Sequence, residues 1–231
     1  MNFKEGLRGG LPIGLGYFSV SLAFGVLASQ SGCTLLEAVL ISMTNLTSAG
    51  QFAGLSVIAA SGTLIEMALT QLVVNARYAL MSIALSQKLH KDFTGKWRWL
   101  LGFAITDEIF AVAVGVPQKI RPSYFAGLAL LPFIGWSAGT FSGAVLGNIL
   151  PGIVTGALGV ALYGMFIAIV TPKAKEDRRV RIIVAVAVAL SVIFHYTPLL
   201  SELSGGFAMI ICAVAASAAG ALLFPVKEEE C

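Results

Sequence analysis

The sequence predicts an all-α fold, a polytopic membrane helical bundle of about eight transmembrane helices with a broken second helix. Three observations lead there. Of 231 residues, 57% are hydrophobic and 12% charged, with a mean hydropathy of +0.88, a balance outside the range of soluble domains. The apolar residues fall in runs of roughly twenty, the length that a hydrocarbon core of ~30 Å demands of a helix. The runs also lack the period-2 alternation of a membrane barrel, the other architecture that satisfies every backbone polar group in lipid.

Lys4 and Arg8 precede the first run, 11–30, which is longer than the apolar core of a signal peptide and lacks a small-x-small cleavage site. A retained first helix is expected. Further runs lie near 35–59, 63–87, 98–116, 124–148, 151–170, 181–198 and 205–225. Ser31-Gly32, Ser61-Gly62, Pro117, Pro122, Pro151-Gly152, Pro172 and Gly205-Gly206 punctuate them, where Gly and Pro end helices most cheaply.

Orientation follows from the basic loops. With eight passes and an inner N-terminus, ten basic residues lie inside: Lys4, Arg8, Lys119, Arg121, Lys173, Lys175, Arg178, Arg179, Arg181 and Lys227. Four lie outside: Lys88, Lys91, Lys96 and Arg98. This balance favours both termini in the cytoplasm of a bacterial inner-membrane protein built as a single integral domain, 1–231. If 35–59 is a re-entrant hairpin, seven passes remain, the 88–98 loop moves inside and the more basic 173–181 loop faces outward.

Gly135, Gly139, Gly143 and Gly147 recur every fourth residue and form one smooth helix face for close backbone packing. Gly6, Gly10 and Gly14 repeat that spacing in the first helix, and "LPIGLGYFSVSLAFG" and "LPFIGWSAGTFSG" share a Pro-Gly opening that suggests duplication, a habit of transporters. Cys33, Cys212 and Cys231 have neither disulfide nor metal spacing, so no metal or cofactor is expected. The scattered basic residues read as membrane topology and exclude a nucleic-acid surface.

The stretch "NLTSAGQFAG", 45–54, sets Asn45, Thr47, Ser48, Gly50 and Gln51 in the middle of an apolar run. In a continuous helix these residues and Thr44 would cover nearly the whole circumference, and Gly50 and Gly54 weaken the helix further. The helix should break there. A break at bilayer depth is tolerated where it lines a cavity, and the restarting half offers free amides to an anion, so the stretch reads as a site for a small polar solute held through a carboxylate. The alternative is a kinked helix whose hydroxyls bond back to its own carbonyls.

In "TQLVVNARYALMS", 70–82, Gln71, Asn75, Tyr78 and Ser82 share one helix face, while Arg77 lies toward the face of Thr70 and Glu66. An Arg at mid-membrane depth costs ~3 to over ~10 kcal/mol and needs an anion. "ITDEIFA" supplies Asp107 and Glu108, about 100° apart on a helix, so one faces Arg77 squarely and the other a different side. We expect Asp107 to pair with Arg77 and Glu108 to be the partly desolvated carboxylate suited to proton coupling or to an ammonium group; the opposite assignment, or a purely structural buried triad, stays open. Glu37 and Glu66 near helix starts favour the dipole and can reach headgroups, and Trp97, Trp99 and Tyr124 read as belt residues.

"SAGQFAG" (48–54), "NARYALMS" (75–82) and "TDEIFA" (106–111), in that order, resemble the AzlC family of branched-chain amino acid permeases. The resemblance implies an inner-membrane exporter of hydrophobic amino acids working with a small AzlD-type membrane subunit. It implies a functional core of Ser48, Gly50, Gln51 and Phe52, then Asn75, Arg77 and Tyr78, then Thr106, Asp107 and Glu108. Members often carry His after the Arg; this chain has Tyr78, which removes a titrating group.

The expected function is a secondary transporter exporting neutral, branched-chain amino acids, with the carboxylate near the broken helix and the ammonium near Asp107 or Glu108. Phe18, Phe24, Phe52 and Phe110 are candidates for an apolar wall. No Walker-type sequence is present, so the proton gradient is the expected energy source. The competing readings are a passive channel for small solutes, a structural subunit of a membrane complex, a homo-oligomer of either kind, and an intramembrane protease using Ser142 and His195. The last is disfavoured because "GTFSG" lacks the G-x-S-G spacing; the chain is not expected to be an enzyme.

Overall fold

The computed structural model describes residues 2–147, 149, 167, 170–172, 174–197, 203 and 205–224. The predicted sixth segment, 151–170, lies outside the described residues except for 167 and 170, as do Glu202, Lys173, Lys227 and Cys231. The described helices are α1 (Phe3–Gln30), α2 (Leu35–Thr44), α3 (Ser48–Ala59), α4 (Leu64–Ser86), α5 (Gly95–Gly102), α6 (Asp107–Gly115), α7 (Pro122–Leu146), α8 (Arg178–Tyr196) and α9 (Gly205–Leu223). Five of them, α1, α4, α7, α8 and α9, are long and apolar enough to cross a membrane. The chain packs as two compact units, Met1–Leu55 with Asn75–Gly159 and Ser56–Val74 with Val160–Cys231.

The first unit is organised on α1 and α7. Both carry glycines at helical spacing on one face, and a methyl group on any of them would strike the other helix's backbone: Gly6 meets the Tyr124 carbonyl, Gly10 that of Leu128, Gly135 that of Gly14, Gly139 that of Phe18, Gly143 that of Leu22. The order of these contacts rises along both chains, so the helices are parallel. Close approach without side chains between them maximises dispersion contact, the main source of helix association where lipid removes the hydrophobic drive. The two Pro-Gly segments suggested as a duplication therefore pack on each other, with Pro12 and Pro132 each inside its helix.

Two pairs of half-length helices lie against this ladder. Helices of 10 and 12 residues (α2, α3) rise ~15 and ~18 Å, half a bilayer core each. The capping box of Thr34 and Glu37 starts α2 at the C-terminal end of α1, with Thr34 N–H donating to Glu37 at 2.7 Å. From there α2 runs back along α7, bringing Ser42 to Thr140, and ends level with Trp136. Then α3 turns back: Phe52 meets Phe24, further toward the C-terminal end of α1, at 5.4 Å between ring centres.

The α5 and α6 pair enters from the opposite end. Phe93, before α5, packs on Phe125 in the first turn of α7; Phe103, after α5, packs on Phe133 about two turns deeper, at 5.9 Å. Helix α6 then returns, with Val112 beside Gly9 of α1. The flanking loops are tied together: His90 N–H donates to Ile120 O and Ile120 N–H to Lys88 O, both at 2.9 Å, and the Lys119 ammonium bonds Gln87 O at 2.8 Å.

This corrects the sequence reading of 98–116 as a crossing helix. It is a hairpin of half-helices, and the loops bearing Lys88 and Lys91 and bearing Lys119 and Arg121 lie at the same end of the unit. The tie is backbone hydrogen bonding between loops thirty residues apart, which hydropathy does not register.

In the second unit, α8 and α9 are antiparallel, with Gly220 against Ile183 and the Arg179 guanidinium 6.0 Å from the Phe224 ring. Glu66 was expected to reach headgroups; instead it is 3% exposed and its carboxylate accepts the Gly206 N–H at 3.2 Å, so it stabilises the positive end of α9. Tyr124, expected in an aromatic belt, is buried against α1, whereas Trp99 is 89% exposed.

A side chain on the α1 and α7 ladder must push two backbones apart. Gly135→Leu is expected to lower stability by at least ~1–3 kcal/mol. Gly16→Ala, where nothing lies within 4 Å, should not lower it. Thermal unfolding of the two purified variants in detergent checks the contrast.

Candidate functional site

The break between α2 and α3 falls at Asn45 to Thr47, where Asn45 leaves the helical region at φ −135°, ψ 83°. Its structure follows from the carbonyls that a helix C-terminus leaves without intrahelical partners. Gln51 supplies the main repair. Its amide nitrogen donates to the Asn45 carbonyl and, at 3.5 Å, to that of Ile41. Its amide oxygen accepts from Trp136 Nε1 at 3.0 Å and from Ser42 Oγ at 3.2 Å, and Ser42 in turn meets Thr140 Oγ1 at 2.7 Å. The side chain is 1% exposed. Gln51 thus holds the tip of the hairpin onto α7.

Beside it, Thr47 Oγ1 donates to Asn45 Oδ1 at 2.7 Å. A methyl group on Gly50 would press on Thr47 and lie 2.8 Å from Asn75 Oδ1, so the missing side chain lets the Asn75 amide, halfway along α4, reach the break. Ser48 is half-buried at the start of α3, and Phe52 is buried against Phe24.

The second tip carries the charges. Thr106 caps α6, accepting the Ile109 N–H at 3.4 Å, and Asp107 and Glu108 form the first turn, where the helix dipole favours negative charge. The sequence reading put this pair in mid-helix; the break between α5 and α6 puts it at a helix start. Arg77, about half a turn of α4 after Asn75, bonds Asp107 Oδ2 at 2.9 Å, donates to Tyr78 OH at 3.2 Å and stands 5.0 Å from the centre of the Tyr78 ring. Asp107 is thus the partner of Arg77. The pair is open on one side, with side-chain exposures of 39% and 36%. Glu108 is more exposed than the partly desolvated carboxylate expected from the sequence, because a first-turn residue at a tip faces the open surface.

Tyr17 of α1 joins the two tips. Its hydroxyl donates to Glu108 and lies 2.7 Å from Thr106 Oγ1, and its ring meets Trp136 edge-on at 5.2 Å, 77° between planes. A phenol has one proton, so Tyr17 donates to the carboxylate and the Thr106 hydroxyl donates to Tyr17. Trp136 carries the connection on to Gln51. The polar groups of one tip therefore touch those of the other through two aromatic side chains at the middle of α1 and α7.

The structure brings Asn45, Ser48, Gly50, Gln51, Phe52 and Asn75 together at one tip and Arg77, Tyr78, Asp107 and Glu108 at the other. Gly135, Gly139 and Gly143 serve the α1 contact, and Gly147 packs on Ser29. Of the apolar-wall candidates, Phe24 and Phe52 pack together, Phe110 lies partly buried on the core and Phe18 is exposed. Ser142 bonds back to the Ala138 carbonyl at 2.8 Å. Sequence reasoning missed Tyr17, Ser42, Trp136 and Thr140, whose single polar atoms carry no pattern in an apolar helix.

Removing the indole donor tests the strength of this repair. Trp136→Phe leaves the Gln51 oxygen one partner short, and a loss of ~1–3 kcal/mol is expected, read as a lower thermal midpoint in detergent. Gln51→Leu leaves the buried Trp136 Nε1 without its acceptor and removes the added bonds to the Asn45 and Ile41 carbonyls, and should cost more.

Residues 12–150 match the family described as AzlC protein. Among curated proteins, an Archaeoglobus fulgidus relative described as an uncharacterized membrane protein is 32% identical over 96% of this chain and 93% of its own length. The inner membrane protein YgaZ of Escherichia coli is 29% identical over 91% of this chain and 87% of its own. A Helicobacter pylori (strain J99) membrane protein is 27% identical over 63% of this chain and 64% of its own. No solved structure matches. With a family match over residues 12–150, carrying the Gln51, Arg77 and Asp107 motifs, and relatives matched along nearly the whole chain, the protein belongs to the AzlC family of membrane proteins.

Proposed function

We propose that this chain is a secondary transporter that exports neutral, branched-chain amino acids across the inner membrane, driven by the proton gradient and working with a small AzlD-type membrane subunit. The observation that carries the reading is the meeting of two half-helix tips, one lined by amides and hydroxyls, the other by Arg77, Asp107 and Glu108. A zwitterion needs both kinds of partner, and broken helices at mid-depth are the usual place for one. The carboxylate would lie at the Asn45, Ser48 and Asn75 amide cluster and the ammonium at Glu108 or Asp107. Gln51, with its amide filled by protein partners, positions the tip. An ion pair more than a third exposed is too costly against acyl chains, so its open side faces water or the small subunit.

In the proposed topology of the first unit α1, α4 and α7 cross, and the two half-helix pairs re-enter from opposite faces. Parallel α1 and α7 require an odd number of crossings between them; α4 supplies one and each hairpin none. Lys4, Arg8, Lys88, Lys91, Lys96, Arg98, Lys119 and Arg121 then all fall on the side of the N-terminus, which is the cytoplasmic side by the positive-inside rule. The eight-pass expectation left four of them outside.

Two experiments test these readings. In vesicles with and without the co-expressed small subunit, labelled leucine and valine should move in response to a proton gradient, and Asp107→Asn and Arg77→Gln should each cut the flux at least ~10-fold, the effect of ~1.4 kcal/mol. Flux indifferent to the gradient would make the protein a passive channel, and unchanged flux in both variants would remove the charge pair from the mechanism. For topology, an impermeant maleimide added to spheroplasts should label native Cys33 but neither Lys91→Cys nor Arg121→Cys. Labelling of the Lys91→Cys variant alone would restore the crossing at 98–116.

A further inference from the structure

A cavity of about 190 Å³ lies in the first unit between the last turns of α4 and the α5 hairpin arm. Its walls are apolar, with Leu85, Phe93 and Ile105 among them, and Arg98 is the one charged residue in the lining. The Arg98 Nε donates to the Phe93 carbonyl at 3.2 Å, which fixes the guanidinium and leaves its terminal nitrogens without a protein partner among the described residues. The far wall is Ser82, whose hydroxyl bonds the Tyr78 carbonyl one turn away at 2.7 Å, and Gly102, at the tip that carries Asp107. The lining thus runs from Leu89 and Phe93 at the loop end of the unit to Ser82, about a turn and a half from Arg77 along α4.

We propose that this cavity is a loading vestibule for a small molecule with an aliphatic body and an anionic end, taken up before it reaches the two tips. Arg98 grips the carboxylate and the apolar walls take the side chain. The proposal rests on the amino acid export reading and adds to it the place where the solute first binds. The size supports a small solute: the volume is far above the ~15 Å³ one water needs and below the ~300 Å³ at which pockets for drug-sized ligands begin. A lipid acyl chain, spanning about half of a ~30 Å core, needs a longer groove. The stretch 88–98, which supplies Leu89, Phe93 and Arg98 to the lining, also carries Lys88, Lys91 and Lys96 against one acid, Asp92, a net positive charge that concentrates anionic groups.

The test places a reporter in the wall. In a chain with its native cysteines replaced by serine, Ser86→Cys is labelled with maleimide in membranes of defined phospholipid, with added leucine, glycine or a phosphatidylglycerol-bearing vesicle. Leucine should slow the labelling well below the effect of glycine, and Arg98→Gln should raise the leucine concentration for half-protection ~10-fold or more, while Arg98→Lys recovers part of it. Equal protection by leucine and glycine, protection by phosphatidylglycerol alone, or an unaltered leucine dependence in Arg98→Gln would each overturn the proposal. Because this readout is binding, it decides the vestibule even if the flux experiment finds no transport; leucine flux without leucine protection would refute the vestibule and leave the transporter reading standing.

Discussion

A backbone interrupted halfway across a bilayer must find partners for the groups that its helices leave open, because lipid has none. In this chain that requirement is met twice, by different chemistry. At the Asn45 break a side-chain amide does it: Gln51 reaches back to the Ile41 and Asn45 carbonyls and is itself held by Trp136 and Ser42. At the Thr106 break a cap and two carboxylates do it, set where the dipole of α6 favours them and answered by Arg77 and Tyr17. Both repairs draw on the middle of α1 and α7, whose glycine faces bring the two backbones into contact. The ladder sets the distance between Tyr17 and Trp136, and through them the distance between the tips.

Burial sorts the polar residues by what they do. Groups wholly satisfied by protein, such as Gln51, Ser42 and Thr140, are fully enclosed and behave as packing parts with hydrogen bonds. Arg77, Asp107 and Glu108 stay partly open to the surface. A charge pair locked purely for structure would gain from complete enclosure only with every proton and lone pair matched. The open side of this one is what the proposed transport site would use.

Much of this was written in the sequence. The polar cluster at 45–51 announced the first break, because six polar or glycine positions cannot share one lipid-facing helix. Arg77 demanded an anion and "TDE" offered one. The second break was also there to be read: Thr106 before two acids is a helix-start signature, but hydropathy averaged over 98–116 masked it. A re-entrant 35–59 stood as an alternative in the sequence, whereas the return of the 98–116 hairpin was not legible. A 20-residue apolar run crosses or re-enters with the same hydropathy, and only the Ile120 to Lys88 and Ile120 to His90 hydrogen bonds between distant loops distinguish the two. Tyr17 and Trp136 were invisible for a related reason, since an aromatic in an apolar helix looks the same whether it faces lipid or joins two sites.

The account stands on the 98–116 segment entering and leaving by one face, with its tip at mid-depth beside Tyr17. Nitroxide labels at Arg98, Phe103 and Val116, read for bilayer depth by oxygen and nickel-chelate collision, test this directly. The expected profile is shallow, deep, shallow, with the two shallow labels on the same side. A steady progression from one face at Arg98 to the other at Val116 would mean a single crossing helix and would contradict the paired-tip arrangement.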